Sequence, residues 1–248
     1  MTLVSIIVPY FEKELFIEDS IRSILNQSYK NFEILIINDE VSIVASNVLE
    51  KIANLDSRIK IIDNKKNIGA GQSRNKGINH SKGDYIAFCD SDDLWKKNKL
   101  EVQLAFMKNF NLDFSFTSYE IIDENKKFIS HRKAKDSIGF SELRNSCDIG
   151  LSTVIIKKKI FNNPEHRFAK IKTKEDYVLW LKLAKNNIEL RGLKDILTSW
   201  RKNKNSLSSS TYQKIKDGYA VYRVYLEYDI LRSLFCLIIL SINYIFKK

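Results

Sequence analysis

The chain has 248 residues, 44% of them hydrophobic, with only 2 prolines and 8 glycines. That composition supports one sizeable core and excludes a disordered or fibrous protein. Lysine and arginine number 41 against 30 acidic residues, a formal net charge of +11, which suits an anionic partner such as nucleic acid, a membrane surface or a phosphorylated substrate. Cys89, Cys147 and Cys236 are far apart and form neither a disulfide framework nor a CxxC metal motif, which points to a reducing compartment. The N-terminal residues enter a strand-like run with no leader pattern ahead of it, so a cytoplasmic location is expected.

Leu3 to Val8 is a β-branched run stopped by Pro9, the pattern of a buried strand. Phe16, Ile17, Ile21, Ile24 and Leu25 recur at helical spacing and predict an amphipathic helix over Glu14 to Gln27. Phe32 to Ile37 reads as a second strand, ending at Asn38-Asp39-Glu40. Val44, Val48, Leu49 and Ile52 mark a second helix, Ile59 to Ile62 a third strand, Gly71 to His80 a short helix and Tyr85 to Cys89 a fourth strand. This alternation predicts an α/β fold, a Rossmann-like, mainly parallel sheet flanked by helices. Ligands of such sheets sit beyond the carboxyl ends of the strands. Four polar clusters fall there: Pro9 to Glu12, Asn38 to Glu40, Asp63 to Gly71 and Asp90 to Asp93.

Farther along, Leu100 to Phe110 reads as a helix, Phe114 to Tyr119 and Ser152 to Ile156 as strands, and Tyr177 to Ala184 as a helix. Ile196 to Trp200 reads as a last strand and Lys202 to Ser210 as a polar loop. From about Tyr219 a helical tail begins. Its apolar stretch Leu234 to Phe246 is about 13 residues, short of the roughly 20 that span a bilayer. Arg223, Arg232 and Lys247-Lys248 flank it, so it fits either an interfacial helix on an anionic membrane or a helix packed on the core or a second subunit.

The sharpest chemical feature is a hydrophobic strand running straight into Asp90-Ser91-Asp92-Asp93. Three carboxylates in four residues repel one another unless a cation or donors neutralise them. Carboxylate oxygens suit Mg²⁺ or Mn²⁺, which can also bind a diphosphate and stabilise its charge as it leaves. Asp93 could instead cap a helix opening near Leu94. In Asn67 to Ile78, Gly69 and Gly71 let the backbone approach a ligand, and Arg74 can pair with phosphate or a carboxylate. The glycine spacing is not the dinucleotide fingerprint. Glu175-Asp176 open a helix, where they suit the helix dipole or a general base for an acceptor hydroxyl. His166, ahead of the acidic pair, suits a place near the acceptor or, more simply, the surface. Tyr119 and Trp180 suit sugar stacking or core packing.

With these segments assembled, the chain resembles the inverting family 2 of glycosyltransferases, of GT-A fold, over about residues 3 to 207. The blocks that carry the resemblance are Ser5 to Phe11, Asn67 to Ile78, Gly83 to Trp95, and Glu175-Asp176 with Trp180. It implies that Pro9, Tyr10 and Glu12 border the base and ribose, that Asp39 binds the base, and that Gly69 and Arg74 lie near the diphosphate. Asp90-Ser91-Asp92 matches the DxD motif, with Asp90 on the ribose or sugar and Asp92, helped by Asp90, on Mn²⁺ or Mg²⁺. Asp176 matches the catalytic base, with Glu175 beside it. Ser199-Trp200-Arg201 to Leu207 looks like the family's late segment, from which Arg201 would reach the diphosphate. The family commonly has two acids, glycine and serine after the second strand. Here the run is Asn38-Asp39-Glu40-Val41-Ser42, and Phe11 stands where asparagine is usual.

The resemblance divides the chain into a nucleotide-sugar-binding half (1–110) and an acceptor-binding half (111–210) of one domain. The apolar pattern beyond them gives a helical tail (211–248) that fits a membrane surface or packing on the core or a second subunit. It implies an inverting, metal-dependent hexosyltransferase. The donor would be a nucleotide-sugar, UDP-linked by expectation, and the acceptor a glycan or lipid-linked glycan of a surface polysaccharide such as capsule or lipopolysaccharide. The enzyme would work at the cytoplasmic face of the inner membrane, with a homodimer as the tail's other use. A nucleotidyltransferase would want a glycine-rich loop with a lysine after Val8, which is absent. An inactive paralogue would not need the acidic residues. Nucleic-acid binding has charge but no motif behind it.

Overall fold

The computed structural model describes residues 2–203 and 210–246. In its first half strands and helices alternate: β1 (Val4–Tyr10), α1 (Ile17–Leu25), β2 (Phe32–Asn38), α2 (Ile43–Ala53), β3 (Ile59–Asp63), α3 (Ala70–His80) and β4 (Tyr85–Phe88). These strands lie parallel in the order β3-β2-β1-β4. The second half adds β5 (Leu94–Trp95), α4 (Lys99–Asn109), β6 (Phe114–Ile122), β7 (Phe128–Arg132), β8 (Ser137–Ile138), α5 (Phe140–Leu143), β9 (Ile155–Lys157), α6 (Glu175–Lys185) and β10 (Leu190–Arg201). One sheet runs through both halves, because β9 pairs antiparallel with both β4 and β6. β10 runs parallel to β6, while β5, β7 and β8 pair antiparallel at the margins. The sheet is therefore parallel in the first half, as expected, and mixed in the second.

Residues of β1 alternate between two cores. Ile7 joins α3, α5 and α6 on one face, while Val4, Ile6, Val8 and Tyr10 join α1, α2 and α4 on the other. Cover on both faces is why β1 and β2 are largely apolar; the buried polar exceptions Ser5 and Glu33 bond to each other at 2.7 Å. β1 continues through Pro9, which pairs with Ile37 of β2, so the proline does not stop the strand. β4 pairs with β1 only as far as Ile7, which leaves a side on which a missing N–H costs no ladder bond.

Other expectations shift. No helix opens at Leu94: the chain forms β5 there, and α4 begins at Lys99. Residues Leu151–Thr153 form a 3₁₀ turn, and the expected strand is confined to β9. β10 starts six residues before the predicted Ile196, because register shifts between Leu193 and Thr198 break the alternation. Most of the Lys202 to Ser210 loop, and Lys247-Lys248, lie outside the described residues.

The tail is not one helix. It comprises α7 (Thr211–Ala220), capped by the Ser210 side chain, a π-helical turn over Val221–Tyr225, and α8 (Ile230–Phe246). Glu227, at φ 58, lies between the turn and α8. Val221, Tyr222, Leu226, Cys236 and Leu240 complete the core beside α6. The opposite side of α8 exposes Leu231, Leu234, Phe235, Ile238, Ile242 and Ile245. No helix among the described residues is long and apolar enough to cross a membrane.

Candidate active site

The carboxyl ends of β1, β2, β3, β4, β6 and β10 share one edge of the sheet, and the polar clusters converge there. Beyond β4 the three acids meet three environments. Asp90 Oδ1 accepts from Arg74 Nη2 at 2.7 Å. Asp92 Oδ2 lies 3.1 Å from Lys13 Nζ. Burial pushes the Asp92 carboxyl above its ordinary pKa, Lys13 opposes the shift and the Asp90 charge adds to it. Asp93 is 1% exposed. It accepts from Ser152 Oγ at 2.6 Å and from the Arg201 N–H at 2.9 Å. Burial, then the charges of Asp92 and Asp90, push its pKa well up. Asp93 therefore caps no helix. Ser91, 3% exposed, is enclosed within the loop.

Arg74 joins the two ends of the site. It projects from α3, donating through Nη2 to Asp90 and through Nη1 to Glu175 Oε1 at 2.5 Å, with its guanidinium 5.5 Å from the Phe168 ring centroid. Burial draws its pKa down, but Asp90 and Glu175 outweigh this and hold it above its ordinary value. Glu175 and Asp176 open α6 behind Lys174, whose left-handed φ of 65 is uncommon away from glycine. Glu175 is buried against Arg74, and half-buried Asp176 accepts its neighbour's N–H, Tyr177 N, at 2.7 Å. Burial, then the Glu175 charge, raise the Asp176 pKa to about 7, with Arg74 opposing.

Gly69 and Gly71 are expected to face a ligand, and Gly71 does not. A Cβ there would lie 3.0 Å from both Ala169 O and Glu175 Cγ, so its bareness seats α3 against the acidic pair. Gly69 is needed for its φ of +83, with open space around it. Buried Asp39 accepts from the N–H groups of Ile68 and Gly69, both at 2.8 Å, and from Asn64 Nδ2 at 2.9 Å. Those donors fill most of the roughly four lone-pair sites of a carboxylate and leave about one for a base. Pro9 is buried in β1, and the hydroxyl of fully buried Tyr10 has no partner among the described residues. Burial, then Glu40 and Glu14, raise the Tyr10 pKa. Left-handed Glu12 (φ 50) donates its N–H to Glu40 Oε2 at 2.8 Å, clipping the ends of β1 and β2 together.

Arg201 departs from its expected place. Its side chain is 1% exposed and lies beneath the acidic loop, donating through Nε to Asp92 O and through Nη1 to Glu124 O, both at 2.8 Å. Its bonds hold backbone instead of reaching across the site. His166 is neither on the surface nor in the site. It is 5% exposed, with Nδ1 2.9 Å from Ile160 O and Nε2 2.8 Å from Asn186 Nδ2. Trp180 is fully buried, edge-on to Phe114 at 5.1 Å, and belongs to the core. The sequence reading missed Lys13 and Ser152. A lone lysine in a lysine-rich chain and a serine in a turn carry no pattern.

Among the described residues no three His, Cys, Asp or Glu side chains are grouped as a metal cage. Asp90 and Asp92 nonetheless fit an ion held by one or two carboxylates and completed by substrate phosphates, the usual manner of Mg²⁺. Burial, and after it the Asp90 charge, raise the Asp92 pKa, and the charge of a divalent cation would oppose both.

The model of the family described as Glycosyl transferase family 2 matches residues 5–164. The chain belongs to glycosyl transferase family 2. Among its relatives is the putative teichuronic acid biosynthesis glycosyltransferase TuaG of Bacillus subtilis, 32% identical over 250 residues, covering 99% of this chain and 97% of that protein. Another is the Escherichia coli UDP-Glc:alpha-D-GlcNAc-diphosphoundecaprenol beta-1,3-glucosyltransferase WfgD, 36% identical over 240 residues, covering 95% of this chain and 91% of that one. In fold, this family 2 glycosyltransferase is similar to S. aureus TarS 1-349 in complex with UDP-GlcNAc. The TM-score is 0.74 at 21% identity, over 96% of this chain and 70% of that one, a likeness that carries the GT-A fold.

Proposed function

We propose that this glycosyltransferase moves a hexose from a UDP-sugar to a hydroxyl of a lipid-diphosphate-linked glycan, with inversion, in surface polysaccharide synthesis. The observation that carries the reading is the Arg74 bracket, which holds Asp90 of the acidic loop and Glu175 of the acidic pair on one guanidinium. Asp176, with its pKa near 7, then stands beside the donor end of the site as the base that takes the proton from the attacking hydroxyl. Pro9, Tyr10, Glu12, Asp39 and Gly69 border the nucleotide. Asp92, with Asp90, would hold Mn²⁺ or Mg²⁺, which when bound neutralises charge on the departing diphosphate. Residues 1–110 supply the donor side and 111–210 the acceptor side.

The name of WfgD supports the acceptor class, and that of TuaG the role in polysaccharide synthesis. The exposed apolar stripe of α8 supports peripheral docking of 211–248 on the cytoplasmic face of the membrane that carries such an acceptor.

The test is release of nucleoside diphosphate from UDP-, GDP- and dTDP-sugars, with Mn²⁺ or with chelator, for wild type and Asp92→Ala. A UDP-sugar turned over only with metal and Asp92 is expected. With a GlcNAc-diphospholipid acceptor, an α-linked donor should give a β-linked product. A product of retained α configuration refutes the mechanism. Turnover that survives both chelator and Asp92→Ala refutes the metal role.

A further inference from the structure

Beneath the acidic loop lies a set of bonds that none of the roles above uses. Ser152 sits in the 3₁₀ turn ahead of β9. Its hydroxyl donates to Asp93 Oδ2 at 2.6 Å and accepts the Asp90 N–H at 3.0 Å. The other Asp93 oxygen accepts the Arg201 N–H at 2.9 Å, and Arg201 Nε donates to the carbonyl of Asp92 at 2.8 Å. Asp90 is thus held by its N–H and Asp92 by its carbonyl, both through one buried chain of bonds. The Ser152 carbonyl is tied in turn to Trp95 Nε1 at 2.9 Å and to Thr198 Oγ1 at 3.3 Å.

Burial gives these bonds their consequence. Asp93, Arg201 and Ser152 are 1%, 2% and 3% exposed, so no bulk water replaces a lost partner. Two carboxylates one residue apart repel each other and would swing apart in an untethered loop. A cation site needs them held near their final geometry before the ion arrives. Asp93, turned inward and bonded on both oxygens, is unsuited to be a third ligand.

We propose that Ser152, acting with Asp93, is a positioning residue of the acidic loop: it holds Asp90 and Asp92 in the arrangement that takes a divalent cation together with the donor diphosphate. The proposal rests on the reading of Asp90 and Asp92 given above. A binding measurement therefore precedes any activity measurement.

Mn²⁺ uptake in the presence of UDP is followed by electron paramagnetic resonance of free Mn²⁺, for wild type, Ser152→Ala, Ser152→Thr and Thr198→Val. Ser152→Ala should weaken Mn²⁺ about 10- to 100-fold, the usual effect of losing an outer-shell bond. The donor KM should rise with it, while kcat at saturating Mn²⁺ stays close to wild type. Ser152→Thr keeps the hydroxyl and should restore binding. Thr198→Val removes a bond to the same turn without touching the acidic loop and should leave Mn²⁺ binding intact. If Ser152→Ala does not fold, Ser152→Cys, a weak donor of similar shape, takes its place. Wild-type Mn²⁺ affinity in Ser152→Ala, or an equal loss in Thr198→Val, overturns the proposal. A wild-type enzyme that takes up no Mn²⁺ with UDP overturns both this proposal and the reading it rests on.

Discussion

Replacing Arg74 by methionine tests whether the site is one electrostatic unit. The change keeps a long side chain beside Phe168 but removes the charge that faces Asp90 and Glu175. Breaking a buried ion pair by deleting one partner costs about 3–5 kcal/mol, because the other charge stays buried without compensation. A chain of this size loses roughly 2–4 °C of Tm per kcal/mol, so a fall of about 6–20 °C is expected. Arg74 also opposes the rise in the Asp176 pKa, so its loss should move the acid limb of kcat/KM to a pH above 7. Arg74→Lys retains charge but cannot fork to both carboxylates, and should fall between. Adding Glu175→Gln to Arg74→Met removes one of the stranded charges and should return part of the stability, a coupling of about 0.5–3 kcal/mol. Thermal melts at pH 8 and kcat/KM against pH measure both effects. A variant that melts with wild type, or an acid limb that does not move, refutes the bracket as the link between the two ends of the site.

In the wild type, kcat/KM should fall about tenfold per pH unit below the Asp176 pKa near 7 and level off above it. A carboxyl whose folded pKa is raised costs stability as pH rises from its unfolded value, near 4, to about 7, and that cost then stays. Asp176→Asn should therefore be inactive at every pH, more stable than wild type at pH 8, and no more stable near pH 4, as chemical denaturation at the two pH values would reveal. On the outer side of α8, Leu231→Lys with Phe235→Lys should abolish co-flotation with anionic vesicles while soluble donor hydrolysis continues. Unchanged flotation would remove the membrane role from that helix.

The parts of the fold that could be read in advance are those where burial on both faces leaves a largely apolar run, as in β1 and β2 despite Ser5 and Glu33. The second half was harder because its strands are marginal or irregular. β5 and β8 have two residues each, β7 is largely exposed, and β10 carries register shifts that break the alternation. The break between α7 and α8 was hidden for another reason. The π-helical turn Val221–Tyr225 keeps the apolar pattern running while the backbone changes course at Glu227.

The site divides in the same way. Acids at strand ends and at a helix start announce themselves by type and place, and the structure gathers Asp39, Asp90, Asp92, Glu175 and Asp176 along one sheet edge. What each acid does depends on partners from distant segments. Asp90 meets Arg74 of α3, Asp92 meets Lys13 ahead of α1, and Asp93 meets Ser152 and the Arg201 backbone. Spacing alone leaves those three carboxylates equivalent. Burial separates them. The pair left facing cationic side chains can exchange those partners for an ion and a diphosphate, whereas Asp93, enclosed by neutral donors, holds the loop on which that exchange takes place.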